Sequence, residues 1–186
     1  MSDNCTHIVP IHESDYPNAE IKAQEVLQWF LERDIVENKL SDCTLGALGY
    51  RFKPQIASLF NDGDKWAFRE NLITHGLEIT AGVKRRVFHP MEGMYLQITC
   101  PHCKQSIPDD LGFEWVAQWY ECKNDTPTCP NCNQTTHLTK YTIEPDWGFS
   151  NFAITLWNTH WDFSPDFLQA MEALFETKLK IVQVRI

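Results

Sequence analysis

The pattern of hydrophobic and polar positions predicts a β-α-β unit at the start of the chain. Between residues 18 and 34, apolar side chains recur every three or four positions with charged residues between them, which predicts an amphipathic helix. Residues 6–11 read T-H-I-V-P-I and predict a short strand before this helix. Residues 41–50 predict a turn that leads into a glycine-containing strand after it.

The end of the chain shows the same order of elements. Residues 152–157 (F-A-I-T-L-W) predict a strand, and the alternating residues 179–186 predict a second one. Between them, Ser164-Pro165-Asp166 has the features of a helix start: an N-cap serine, a proline at the first helical position and an acid in the first turn. A second β-α-β unit therefore ends the chain.

The middle of the chain is richer in predicted strands than in helices. Residues 76–90 form the longest predicted strand, whereas residues 111–120 fit a short helix or a strand equally well. We predict one α+β domain over residues 1–186, with a mixed sheet and two main helices from the flanking β-α-β units. The middle region is an insertion within that domain.

Two cysteine pairs offer the clearest chemistry in the sequence. Residues 100–103 read C-P-H-C, which resembles the active-site tetrapeptide of disulfide oxidases with a thioredoxin fold and would make Cys100 a reactive thiolate. That motif opens a long helix, but Pro108 leaves no room for one. Residues 129–132 repeat the motif as C-P-N-C, and two such pairs supply the four soft ligands that structural zinc prefers. We therefore predict one Zn²⁺ ion bound by Cys100, Cys103, Cys129 and Cys132.

The two C-P-x-C motifs, each beside a predicted strand, resemble a zinc ribbon over about residues 94–145. In that family a glycine usually follows the second cysteine of each pair, because the position tends to adopt a positive φ. Here Lys104 and Asn133 take its place. A site closed by four thiolates has no open coordination position, so the predicted zinc is structural rather than catalytic.

Charge and composition restrict the classes of partner and the cellular location. The net charge of −9, from 25 acidic and 16 basic residues, repels phosphate backbones and anionic membranes and suits a basic protein. The basic run Lys84-Arg85-Arg86 is too short for a nucleic-acid groove, so nucleic-acid binding is disfavoured. The first residues have neither the basic nor the apolar region of a signal peptide, so we expect none, and the seven cysteines are an odd number. We expect a reduced, cytoplasmic protein without a membrane segment.

Acidic and large aromatic residues gather around the predicted ribbon, a combination typical of protein-binding surfaces. The alternative is a solvated rim over a core, and the sequence leaves it open. The predicted partner-binding face comprises Asp109, Asp110, Glu114, Trp115, Trp119, Glu144, Asp146 and Trp147.

The sequence contains no nucleophile elbow, no H-E-x-x-H motif and no P-loop. A small acidic protein without a catalytic motif resembles in type the bacterial immunity and antitoxin proteins, which imply a toxin as the partner. The first alternative is a zinc-ribbon nucleic-acid-binding or transcription-associated adaptor. The second is a hydrolase that uses His160 and Asp162, in a strand-to-helix loop where α/β proteins often place sites.

Overall fold

The computed structural model describes residues 3–45, 47–61, 68–90 and 95–186. Its strands in these ranges are β1 (Asn4–Pro10), β2 (Val36–Ser41), β3 (Gly49–Phe52), β4 (Gly76–Phe88), β5 (Gln97–Thr99), β6 (Ser106–Ile107), β7 (Thr142–Glu144), β8 (Gly148–Trp157) and β9 (Leu179–Arg185). Its α-helices are α1 (Ala19–Glu32), α2 (Asp109–Tyr120) and α3 (Pro165–Phe175), and short 3-10 segments cover Pro54–Leu59 and Leu138–Lys140.

The main sheet has six strands in the order β2-β3-β4-β8-β1-β9, which confirms the α+β class. The sheet is antiparallel at every described pairing instead of mixed. The reason is that β1 lies between β8 and β9, while β8, β4 and β3 separate β1 from β2. Neither β-α-β unit therefore places its two strands side by side, and no parallel pair forms between them.

Helices α1 and α3 cover one face of the main sheet and bury the principal core with it. Phe30 of α1 is fully buried, as are Phe152 and Ile154 of β8. The predicted helix start is confirmed, because the Ser164 side chain accepts a hydrogen bond from the Phe167 N–H at 3.2 Å. Among the described helices, none combines the length and the apolar character that crossing a bilayer requires.

The middle of the chain forms a second layer with its own core. Strands β6, β5 and β7 make a three-stranded sheet in that order, and α2 packs against it. Residues 111–120 are therefore helical, with Trp115 and Trp119 on the buried side. Gly112 lets the helix approach the sheet closely, because a Cβ there would lie 3.3 Å from Ile98 Cδ1. Met94, at the start of the predicted ribbon, lies outside the described residues.

An irregularity in β4 connects the two layers. The pairing of β4 with β8 shifts register between Ala81 and Arg86, which leaves a bulge in β4. The Asn151 amide of β8 holds this bulge by donating to the Gly82 carbonyl at 2.7 Å, and its oxygen accepts from the Tyr16 N–H at 2.6 Å. Arg85, inside the bulge, is buried.

Candidate metal centre

The first cysteine pair lies in a tight turn that is closed by two backbone hydrogen bonds. The Cys100 N–H donates to the Gln105 carbonyl at 3.0 Å, and the Lys104 N–H donates to the Cys100 carbonyl at 3.1 Å. Lys104 has a φ of 61°, the left-handed conformation that the zinc-ribbon resemblance implies for this position.

The second pair repeats this turn. The Cys129 N–H donates to the Gln134 carbonyl and the Asn133 N–H donates to the Cys129 carbonyl, both at 2.9 Å. Asn133 has a φ of 57°. The two motifs therefore have the same backbone geometry although neither carries the usual glycine, and asparagine adopts this conformation more easily than lysine does.

The two turns face each other and bring four sulfurs together. The Sγ atoms of Cys100 and Cys132 are 3.8 Å apart, as are those of Cys103 and Cys129, and all four lie within 4.8 Å of one another. A tetrahedron with Zn–S bonds of about 2.3 Å has edges of about 3.8 Å. The four cysteines thus form a site that can bind a metal ion, and both donor type and spacing fit zinc.

Electrostatics in the cluster favour one thiolate and oppose further ones. Burial would raise the pKa of Cys100, but the N–H groups of Cys103 and His102 and the neighbouring thiols lower it to about 7. For Cys132, a bond from the Gln134 N–H lowers the pKa, but burial and the three other sulfurs raise it to about 12. A cluster of this kind holds several thiolates only when a cation offsets their repulsion.

The site is closed toward the inside of the insertion. Cys100 and Cys129 are fully buried in the same apolar cluster as Leu138 and Tyr141. Nearby, the His102 ring is hydrogen-bonded to the Thr136 hydroxyl at 2.7 Å. The four sulfurs complete a tetrahedral set, which leaves a bound zinc no position for a substrate.

The structure places the aromatic residues of the predicted partner-binding face inside the protein. Trp115, Trp119 and Trp147 are each at most 5% exposed and belong to the core of the insertion. Trp147 stacks on the ring of His89, with centroids 4.8 Å apart. Acids above buried aromatics match the alternative of a solvated rim over a core, so the three tryptophans do not belong to a surface.

The predicted acidic residues are exposed, but on two different surfaces. Asp109, Asp110 and Glu114 lie on the outer side of α2. Glu144 alternates with the buried Ile143 of β7, so it lies on the face of the small sheet that points away from α2. Asp146 is also exposed and is ion-paired to the Lys180 ammonium of β9 at 2.7 Å.

Tyr120 is an exposed aromatic residue that the predicted face did not include. It ends α2 and is 56% exposed. Helical spacing alone predicts this exposure, because Tyr120 falls outside the buried stripe of α2 that contains Trp115 and Trp119.

The loop with His160 and Asp162 lies between β8 and α3, as the sequence predicts. The Asp162 carboxylate accepts a hydrogen bond from the Asn61 amide at 2.8 Å, and the Asp162 carbonyl accepts from the Asn61 N–H at 3.1 Å. The ring centroids of His160 and Phe60 are 6.3 Å apart. Asp162 thus has a structural partner in Asn61, and acid-base chemistry at this loop stays a prediction.

The basic run of the sequence has its central residue inside the protein. The Arg85 guanidinium is ion-paired to Asp15 at 2.7 Å and to both carboxylate oxygens of Asp125. It also lies over the Trp119 ring, 4.8 Å from the centroid. The hydrogen bond with Asp125 raises the pKa of Arg85, and this effect outweighs burial, which lowers it. Arg85 is therefore not available to a nucleic acid.

A scan against protein-family models and searches of curated proteins and of solved structures find no match for this chain. Its functional assignment therefore depends on its own geometry: an α+β protein with four cysteines arranged to bind a metal ion.

Proposed function

We propose that the protein is a zinc-stabilised binding protein that recognises a basic protein through the acidic outer side of α2. The partner is of the kind that immunity and antitoxin proteins neutralise. The observation that carries this proposal is the acidic stripe of α2, exposed on a helix whose opposite side is fixed in the core.

The acids of α2 have the spacing of one helix side. Asp110 and Glu114 stand four positions apart on the side opposite the buried tryptophans, and Glu121, which caps the end of α2 and is ion-paired to Lys123, follows seven positions later. Asp109 and Asp110 form no ion pair with any described residue, and Glu114 accepts a hydrogen bond from Gln118 at 2.9 Å. Unpaired acids at this end of a helix are stabilised by its dipole and remain available to a cationic partner.

The helix that carries these acids is held rigidly. Its inner side packs on the small sheet and on β4, and the Arg85 guanidinium donates to the Trp119 carbonyl at 3.0 Å. A partner therefore meets charges that are already in place, which lowers the entropy cost of association. Tyr120 flanks the stripe and is of the residue type that most often anchors interfaces.

In this proposal zinc has a structural role. Bound by Cys100, Cys103, Cys129 and Cys132, it joins the two cysteine turns, and α2 lies between those turns in sequence. Binding free energy at such a site is folding free energy, so the metal supports the helix that presents the acids.

The test is a pair of double charge reversals measured against the partner. The partner is first captured from an extract of native cells with the wild-type chain, identified by mass spectrometry and purified. Asp110→Lys with Glu114→Lys is expected to weaken its binding at least tenfold at low salt, mainly through a slower association rate. Raising the salt concentration is expected to reduce the difference.

The matched control is Glu20→Lys with Glu37→Lys, which changes net charge equally at two exposed acids away from α2. This control is expected to have less than a threefold effect. Equal losses in both double variants would mean that only overall charge matters, and would contradict the assignment to α2. Capture of nucleic acid by the wild-type chain instead of a protein would favour the adaptor alternative.

A further inference from the structure

A cavity of about 510 Å³ lies at the end of the main sheet where β1 begins and where β8 and β9 end. The residues of its wall differ from those on the acidic side of α2, so the two sites are separate. Its walls include Asp3, Arg69, Leu72, Thr159, Trp161, Asp162 and Arg185.

Charged groups of both signs line this cavity. Arg69 and Arg185 bring two guanidinium groups, and Asp3 and Asp162 bring two carboxylates. Within the described ranges, none of the four forms an ion pair. Charges of both signs therefore share this cavity without pairing with each other, whereas Arg85 and Lys180 are paired with acids.

The contacts that these groups do make are with neutral partners. Asp3 accepts a hydrogen bond from the Asn158 amide at 2.6 Å, which uses one carboxylate oxygen. The Arg185 guanidinium lies over the Trp161 ring, 4.8 Å from the centroid, so its N–H groups stay available to an acceptor.

Two uncharged donors of residues in the cavity wall also lack partners among the described residues. Thr159 is only 6% exposed, and its hydroxyl forms no hydrogen bond with any described residue. The same holds for the Trp161 indole N–H. Buried polar groups almost always have a partner, and an unsatisfied one costs about 1–3 kcal/mol. Both donor atoms are buried beneath the cavity surface, so a ligand in the cavity first meets the charged groups and not these donors.

The wall that carries these donors is fixed before any ligand arrives. Asn158 has a φ of 52°, and its amide donates to the Thr74 carbonyl at 2.7 Å. Its backbone N–H donates to the Asn4 carbonyl at 2.8 Å, and its side-chain oxygen accepts from the Asn4 N–H at the same distance. At the other end of the loop, the Ser164 N–H donates to the Leu59 carbonyl at 2.9 Å.

We propose that this cavity binds a small zwitterion, an α-amino acid with an apolar side chain. Its carboxylate would accept hydrogen bonds from the guanidinium groups of Arg185 and Arg69. Its ammonium group would lie against the carboxylates of Asp3 and Asp162. Trp161 and Leu72 supply apolar surface for the side chain. A ligand without net charge is not repelled by a chain of net charge −9, whereas a simple anion is.

Calorimetric titration with L-leucine and two matched analogues tests the pairing of charges. The analogue 4-methylpentanoate lacks the ammonium group, and 3-methylbutylamine lacks the carboxylate. We expect millimolar or tighter binding of L-leucine and at least tenfold weaker binding of each analogue. Equal binding of 4-methylpentanoate would overturn the proposal in favour of a plain anion site. Absence of binding at millimolar L-leucine would overturn it altogether.

Three variants assign the contacts within the cavity. Arg185→Ala and Asp162→Asn are each expected to weaken the binding of L-leucine about tenfold. In Asp162→Asn, the side-chain oxygen can still accept the hydrogen bond from the Asn61 amide. Arg69→Ala removes the second guanidinium of the cavity wall and is expected to weaken binding severalfold, with thermal unfolding as the check on folding. Arg33→Ala is the matched control, because Arg33 lies over Trp29 in a similar contact far from the cavity. Unchanged binding in all three variants would overturn the assignment.

Discussion

The guanidinium of Arg85 in β4 is paired with the carboxylate of Asp125 in the insertion, with Nη2 2.9 Å from Oδ2. Only 8% of the Arg85 side chain is exposed, against 32% for Asp125. The same guanidinium contacts Asp15, just before α1, at 2.7 Å. One buried cation therefore joins the main sheet, the start of α1 and the insertion.

Replacing this cation is expected to loosen the connection between the two layers. Arg85→Ala removes the ion pairs, the bond to the Trp119 carbonyl and the packing on the Trp119 ring. We expect a loss of about 2–3 kcal/mol in the free energy of unfolding, less than for a fully buried pair because both carboxylates can be hydrated. Urea unfolding measures it. The neighbouring and exposed Arg86→Ala is expected to change stability by less than about 0.5 kcal/mol, and equal effects at the two positions would contradict the role of Arg85.

Two histidines, the buried His75 and the half-buried His7, are expected to make the fold sensitive to mild acid. Burial lowers the pKa of His75 to about 4, and burial together with His89 lowers the pKa of His7 to about 4. Because the folded pKa lies below the unfolded value of about 6.5, the stabilising contribution is complete above that pH. It is lost as the pH falls from about 6.5 toward 4, at about 1.4 kcal/mol per pH unit for each histidine.

The substitution His75→Gln removes one of these two titrations. The slope of unfolding free energy against pH between 6.5 and 4 is therefore expected to fall by about 1.4 kcal/mol per pH unit, the contribution of one histidine. Zinc is kept saturating throughout, since acid also weakens metal binding. A slope that survives His75→Gln intact would show that other groups cause it.

Metal analysis tests the four-cysteine site directly. Protein purified without added metal is expected to contain about one equivalent of zinc. Cys132→Ser is expected to reduce it sharply, whereas Cys122→Ser, at an exposed cysteine outside the cluster, is not. A disulfide between Cys100 and Cys103 with no metal would restore the redox interpretation.

Chelation is expected to loosen residues 95–145 before the main sheet. The insertion has its own apolar cluster and depends on ligation to join its two turns, whereas the core of the main sheet contains none of the four ligands. Hydrogen exchange after treatment with a chelator should therefore show early loss of protection in β5, α2 and β7. Simultaneous loss along the whole chain would mean that the insertion and the sheet unfold as one unit.

Tyr120 is expected to contribute to partner binding beyond the acids. Tyr120→Ala should weaken binding of the captured partner about tenfold. Tyr120→Phe should retain most of the affinity, because it keeps the ring surface. Tyr95→Ala is the control, because Tyr95 is 55% exposed near the start of β5 and therefore similar in exposure. An equal loss at Tyr95 would contradict a binding surface centred on α2.

The sequence by itself determined the features whose causes are local. A pair of cysteines two residues apart specifies a turn that directs both sulfurs to one side, so the ligands of the metal site follow from spacing alone. The start of α3 likewise follows from Ser164 and Pro165, because a cap satisfies backbone groups within one helical turn. The helical period also placed α1 within two residues of its observed bounds.

The tertiary structure decided the features that depend on residues far apart in the chain. Strand β1 pairs with β8 and β9, and no local period encodes which strands become neighbours. Strand β2 escaped prediction because it is an edge strand in which four consecutive residues are exposed, so it lacks an apolar alternation. The bulge in β4 turns Arg85 toward Asp125, and the helix α2 turns Trp115 and Trp119 inward. Side-chain burial depends on what packs against an element, and for these residues that partner lies elsewhere in the chain.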